Sequence, residues 1–203
     1  KDGRIVSGYG MRIEIDEALR ARARELYPKG LAPETAYLGE EALVAGAFGE
    51  AAFERALELL ELPKPEYVGD QRLPWDFIVE GHGRVDVKTK PRNVPPRAEY
   101  EAGIAAEQLA KPELSDLLVF VSLYPKASRP GYHYEEAWIV GYMPTERFKR
   151  FSWLVPAGSP MGNGTSKSWR DMYDVLCAQL WPIKWLVPYE RRKYDDPFSE
   201  WKP

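Results

Sequence analysis

Apolar and polar positions alternate most sharply between Asp76 and Lys90. Asp76–Glu80 and Arg84–Lys90 read as two short strands, and Gly81-His82-Gly83 between them suits a tight hairpin. Glu66–Gly69 precedes them as a third strand of one meander. Upstream the period changes to that of a helix. Ile13–Tyr27 predicts a short helix with Asp16 as its cap, Glu17 in its first turn and Pro28 with Gly30 beyond its end. Ala32–Leu62 predicts a longer one, with Phe53, Leu57 and Leu60 on one stripe, and with a break or bend where Gly39, Gly46 and Gly49 fall.

Downstream, Ala98–Leu109 is alanine-rich and reads as a helix. Leu117–Leu123 is an unbroken apolar run, the mark of a strand covered on both faces. Glu136–Tyr142 reads as another strand, Thr145–Phe148 as a turn or short helix, and Pro156–Lys167 as a glycine-rich loop. Ser168–Leu180 predicts a last helix, with Trp169, Met172, Tyr173, Leu176, Cys177 and Leu180 on one side. The order is αβββαβ followed by a further strand and helix. The expected fold is α/β, a central mixed sheet flanked by helices, with a C-terminal helical and aromatic elaboration. The chain divides into an N-terminal extension and helix (1–31), a core (32–148) and the elaboration (149–203), packed as one domain.

Composition narrows the chemistry. The chain has 203 residues, 44% hydrophobic and 29% charged, with a net charge of −3. No apolar run approaches the length of a membrane span, and the opening residues lack the layout of a secretory leader. Met11 is a candidate start, with residues 1–10 an extension before it. Cys177 is the only cysteine, and His82 and His133 are the only histidines. An internal disulfide and multi-thiolate or multi-histidine metal sites are thereby excluded, and the expected compartment is the cytoplasm. Any metal site must be built from oxygen, which points to magnesium or manganese. The acidic total excludes a uniformly basic coat but not a basic groove.

The candidate chemistry lies in the hairpin. Residues two apart in a strand share a face. Val85, Val87 and Thr89 point one way; Asp86, Lys88 and Lys90 point the other. A short hairpin brings Asp76 onto the same face as Asp86. Two carboxylates held together repel unless a cation intervenes, and magnesium is the natural cation. The Val87 carbonyl offers a third oxygen. Lys88 is placed to orient an attacking water or to take its proton. In the upstream helix Glu50 follows Gly49, which permits close approach to the sheet, so Glu50 is a further ligand; Glu40, Glu41 and Glu54 compete with it. A surface hairpin with cross-strand ion pairs would account for Asp86, Lys88 and Lys90, but not for Asp76 on the facing strand.

Glu50 in a helix, Asp76 on one strand and Asp86-Val87-Lys88 on the next resemble the PD-(D/E)xK nuclease superfamily, the restriction-endonuclease-like fold, over roughly residues 33–142. Pro74-Trp75-Asp76 departs from the Pro-Asp of the superfamily's name by one inserted residue. The resemblance implies a nuclease in which the two acids bind magnesium, the lysine assists the attacking water and the helical glutamate completes the site. It implies DNA as the partner, with RNA and a homodimer left open. Arg84, Lys88, Lys90, Arg92 and Arg97 form a basic stretch beside the site, and Arg84, Lys90, Arg92 and Arg97 are the candidates for tracking a phosphate backbone. Lys149, Arg150 and Trp153 make a second basic and aromatic cluster, and Lys167 with Trp169 a third; aromatic rings beside cations can stack on unpaired bases. The glycine-rich loop around Gly158–Gly164 is a candidate flap, without the Gly-Lys-Ser/Thr of a phosphate-binding loop. His82 reads as an exposed turn residue. The competing classes are a non-cleaving nucleic-acid-binding or assembly subunit and a plain interaction protein.

Overall fold

The computed structural model describes residues 5–6, 9–27, 40–69, 73–124, 134–161 and 167–186. Residues 32–39 of the expected long helix, His133, the C-terminal tail and residues 162–166 of the glycine-rich loop lie outside the described residues. Strand β1 (Ile5–Val6) and β2 (Gly10–Glu14) come first, then helices α1 (Glu17–Leu26) and α2 (Glu40–Leu59). Strands β3 (Glu66–Tyr67), β4 (Phe77–Val79) and β5 (Gly83–Pro91) form the expected meander. Then follow β6 (Glu101–Ala105), α3 (Ala106–Leu109), β7 (Leu117–Tyr124), β8 (Glu136–Pro144), α4 (Thr145–Phe151), β9 (Trp153–Val155) and β10 (Met172–Leu176).

The central sheet is mixed, in the order β1-β2-β8-β7-β5-β4-β3. Only β5 and β7 run parallel; every other neighbouring pair is antiparallel. A smaller antiparallel sheet, β6-β10-β9, lies apart from it. Two cores sandwich the central sheet. On one face α1 and α2 bury Leu19, Phe53, Ala56 and Leu57 against Val85, Val87, Val119, Val121 and Ile139. On the other, β6, β10 and α4 bury Ile104, Val175 and Phe148 against Leu118, Phe120, Val140 and Met143. All of β7 except Tyr124 is buried, as its unbroken apolar run predicts. The expectation of helices on both faces holds in part, since the second face is covered mainly by strands. Among the described residues no helix is long and apolar enough to cross a membrane.

Four predicted elements differ. The N-terminal helix begins at Glu17 rather than Ile13, because Met11 and Ile13 alternate with Arg12 and Glu14 and extend the free edge of β8. Asp16 is nevertheless the cap, its Oδ1 accepting from the Leu19 amide at 2.8 Å. Second, α2 runs unbroken through Gly46 and Gly49. A methyl at residue 49 would overlap the Thr89 side chain, so glycine lets the helix ride close on β5. The burial of Phe48, Ala52, Phe53 and Leu57 outweighs the cost of about 1 kcal/mol for a glycine in a helix. Third and fourth, the predicted helices 98–109 and 168–180 are mostly strands. β6 and β10 pair with one another, from Met172 opposite Ala105 to Leu176 opposite Glu101, and only Ala106–Leu109 and the 3₁₀ turn Cys177–Gln179 remain helical.

The end of α2 carries a testable strain. Glu61 adopts φ 54°. The Leu62 amide bonds the Leu57 carbonyl at 2.9 Å and the Glu61 amide bonds that of Glu58 at 3.0 Å, the pattern of a helix closed by a left-handed residue. Glu61→Gly relieves the side-chain clash and is expected to raise stability by about 0.5–1 kcal/mol, read as a higher urea midpoint at unchanged slope.

Candidate active site

The site forms where β4 stops short. Phe77 pairs with Val85, and one residue further on Asp76 comes opposite Asp86 as β4 leaves the ladder. The Asp76 side chain takes over from the missing strand: its Oδ2 accepts from the Val87 amide at 2.7 Å. Its own backbone amide donates to the Val85 carbonyl at 2.9 Å, and its carbonyl accepts from the Val68 amide at 2.9 Å. Asp76 is thus held by three hydrogen bonds. Within a strand a residue's N–H and C=O point to the same edge. The Val87 carbonyl therefore faces the edge on which Asp76 sits.

The period-two reading of β5 holds. Val85 and Val87 are buried against α2, and Asp86, Lys88 and Lys90 lie on the opposite face. Lys88 Nζ sits 2.7 Å from Asp86 Oδ2, both side chains largely buried. Glu50 approaches from α2, one residue after the glycine that seats the helix on Thr89. The Tyr67 hydroxyl hydrogen-bonds its carboxylate. Glu54, one turn on, is gripped by Arg22, with Nε and Nη2 donating at 2.6 and 2.8 Å. Within the helix Glu54 is engaged by Arg22 and Glu41 is exposed, while Glu50 lies in the field of the two aspartates.

These carboxylates lie within one another's field. Burial raises Glu50 well above the usual carboxylate range, and the charges of Asp76, Asp86 and Glu54 raise it further against the Tyr67 hydrogen bond. Asp76 is raised to about 7, by burial first and by Asp86 second; the Val87 amide and Lys88 oppose the rise. Tyr67 is pushed up by burial and by Glu50. The Lys88 ammonium opposes the negative charge of this cluster. Among the described residues no three His, Cys, Asp or Glu side chains stand ready as a ligand cage. Asp86 is turned to Lys88 and Asp76 to the Val87 amide.

The four candidate phosphate contacts separate. Arg84 is engaged: its Nε and Nη2 reach Asp116 at 3.0 and 3.1 Å, and its guanidinium lies 4.8 Å from the Trp75 ring centre. Arg92 donates to Ser122 Oγ at 3.0 Å and to the Glu101 carbonyl at 2.6 Å. Arg97 stands on the surface, 3.9 Å from Glu99. Lys90 alone makes no hydrogen bond or ion pair with a described residue. Burial and then Arg92 lower its pKa, against the opposing charges of Asp174 and Glu101. Lys88, Lys90 and Arg92 line a small cavity of about 40 Å³ with Gly103, Ser122 and Cys177.

Sequence reasoning missed Tyr67, Arg22 and Asp174. Tyr67 sits in a two-residue edge strand with no periodicity to expose it, and Arg22 lies between Arg20 and Arg24 with nothing in the local pattern to single it out. His82 is half-buried rather than exposed, its Nε2 2.6 Å from the Leu186 carbonyl, which ties the hairpin turn to the C-terminal side of the fold. The Arg170 guanidinium lies over Trp169, 3.4 Å from its ring centre. Compared with protein-family models, with curated proteins and with solved structures, the chain matches none.

Proposed function

We propose that this chain is a divalent-metal-dependent nuclease that hydrolyses DNA phosphodiester bonds. One observation carries the reading: Asp76 and Asp86 come opposite one another where β4 leaves β5, with the Lys88 ammonium 2.7 Å from Asp86 and Glu50 of α2 within their field. A magnesium or manganese ion would suit these donors once Asp86 turns from Lys88 and Asp76 from the Val87 amide. The ligands are all oxygen, and two of the carboxylates are raised by burial and mutual repulsion, which a hard cation relieves. Asp76 and Asp86 would hold it, with Glu50 and the Val87 carbonyl completing the set. Such an ion supplies Lewis acidity, acidifying water and offsetting charge on the phosphoryl oxygens.

The chain's own groups do the rest. Lys88 orients the attacking water or accepts its proton, and its charge favours a phosphate gaining negative charge. Tyr67 fixes the Glu50 carboxylate, and the Arg22–Glu54 pair keeps a second glutamate out of the site. Lys90 draws a phosphate toward the same face. The direct test is cleavage of supercoiled plasmid in magnesium and in manganese, with chelator as the control. Nicking that requires the metal is the expected result.

A second reading draws on the closed Asp86–Lys88 pair. If that pair outcompetes the metal, the chain is a nucleic-acid-binding or assembly subunit that does not cut. It would then shift DNA in a gel in both metals and leave the plasmid intact.

A further inference from the structure

One face of the small sheet runs from the cavity beside the candidate site to an exposed edge strand. Directly opposed residues of antiparallel strands point to the same side. Gly103, Asp174 and Trp153 form one such row across β6, β10 and β9. Their neighbours Ala102, Ile104 and Val175 point the other way, into the second core. Gly103 also borders the cavity lined by Lys88, Lys90 and Arg92. A side chain at residue 103 would collide with the Asp174 carboxylate, so glycine keeps the start of the row low. From Gly103 the row crosses two inter-strand spacings, about 10 Å, and ends at Trp153 on an edge strand. That indole is 39% exposed. Two residues before it, Phe151 is 43% exposed, with the Arg147 and Arg150 guanidiniums 4.6 and 5.4 Å from its ring centre. Phe151, Arg147 and Arg150 border an open cavity of about 600 Å³, which Lys149 and its ion-pair partner Glu146 also line.

We propose that this face binds single-stranded nucleic acid, with Lys90 taking a phosphate next to the scissile one and Trp153 stacking on an unpaired base. The naming of a scissile phosphate rests on the nuclease reading; the binding surface does not. Charge chooses the occupant. Lys90 stands at one end and Arg147 and Arg150 at the other, beside the exposed Phe151 and Trp153 rings; Lys88, Arg92 and Lys149 are already engaged by Asp86, by Ser122 with the Glu101 carbonyl, and by Glu146. Asp174 lies within the row but is only 7% exposed and faces Lys90, so its charge is opposed from inside the protein. A second copy of the chain docked here about a twofold axis would set the same cations against one another. A polyanion meets both ends favourably. The indole selects the strandedness, because bases in a duplex keep their faces against each other and an unpaired base offers one to stack.

The test is fluorescence anisotropy in chelator, so that no cleavage occurs. The wild-type protein, Trp153→Ala and Trp153→Phe are titrated with labelled oligothymidylate, an abasic strand of equal length and a duplex. Wild type is expected to bind oligothymidylate more tightly than either of the others. Trp153→Ala is expected to weaken oligothymidylate binding roughly 5- to 150-fold and to leave the abasic affinity where it was. Trp153→Phe keeps a ring and recovers part of the loss; should the alanine variant fail to fold, the phenylalanine variant and the wild-type contrast between thymidylate and abasic strands decide. Equal losses on the abasic strand, no loss at all, or tighter binding of duplex overturns the proposal. So does a dimer that Trp153→Ala dissociates without changing thymidylate affinity. Binding that follows Trp153 in a protein that never cuts sustains this inference and sinks the nuclease reading; metal-dependent cutting with Trp153 inert does the reverse.

Discussion

Replacing Lys88 by Met is expected to lower metal-dependent DNA cleavage roughly 10²- to 10⁴-fold, the range over which a positioned acid–base group contributes to a rate. Methionine keeps the stem that packs beside Asp86 and removes only the ammonium. Its loss also frees Asp86, the partner it holds at 2.7 Å. The site then has one negative charge more, so magnesium should bind more tightly while cutting slows. Asp86→Asn works in the opposite sense. It removes a ligand and leaves Lys88 unopposed, so both metal affinity and cleavage fall. Calorimetric titration of magnesium into both variants, beside a plasmid assay, separates these signatures. If both variants cut at the wild-type rate, the hairpin is a structural ion pair and the catalytic assignment fails.

The second large effect is on stability and needs no substrate. Asp76 has its carboxyl raised to about 7 in the folded chain, chiefly by burial and then by Asp86. An unfolded aspartate titrates near 4. Between about pH 4 and about pH 7 the folded state therefore holds a proton that the unfolded state has lost. Stability without metal is highest below that window and declines as pH rises through it. At about 1.4 kcal/mol per unit, one such carboxyl sets an upper limit of about 4 kcal/mol. Glu50 is displaced in the same direction and adds to the slope. In chelator the melting temperature should fall from pH 5 to pH 8. Magnesium should flatten that decline, because the ion replaces the proton as the neutralising partner. Asp76→Asn should be more stable than wild type at pH 8 without metal and should gain little from magnesium. A melting temperature in chelator that rises across this interval contradicts the electrostatic picture of the site.

These expectations depend on features that short-range pattern could reach. The hairpin, the shared face of Asp86, Lys88 and Lys90, the approach of Asp76 and the close seat of Gly49 all follow from period-two alternation or from neighbours within one element. β6 and β10 escaped because their evidence is non-local. EAGIA is alanine-rich and Trp169, Met172, Tyr173 and Leu176 fall three or four apart, so each segment reads as a helix when taken alone. Each finds its ladder only in the other, and that pairing outweighs local preference. The fate of the basic stretch was hidden for a similar reason. Composition marks Arg84, Lys90, Arg92 and Arg97 alike, whereas Asp116, Ser122 and Glu101, brought in from distant parts of the chain, engage Arg84 and Arg92. The Glu50 assignment needed Arg22 from α1 to remove Glu54 from contention.

The small sheet has a consequence for the order of assembly. Its three strands come from residues 101–105, 153–155 and 172–176, and the segment between the first two includes β7, β8 and α4. Closing it requires long chain loops to be restrained first, and contacts between distant segments form slowly. The hairpin that carries Asp76, Asp86 and Lys88 is local and can nucleate early. A nascent chain would thus possess its carboxylates before it possesses the floor beside them, and the last event of folding would be the one that completes the groove.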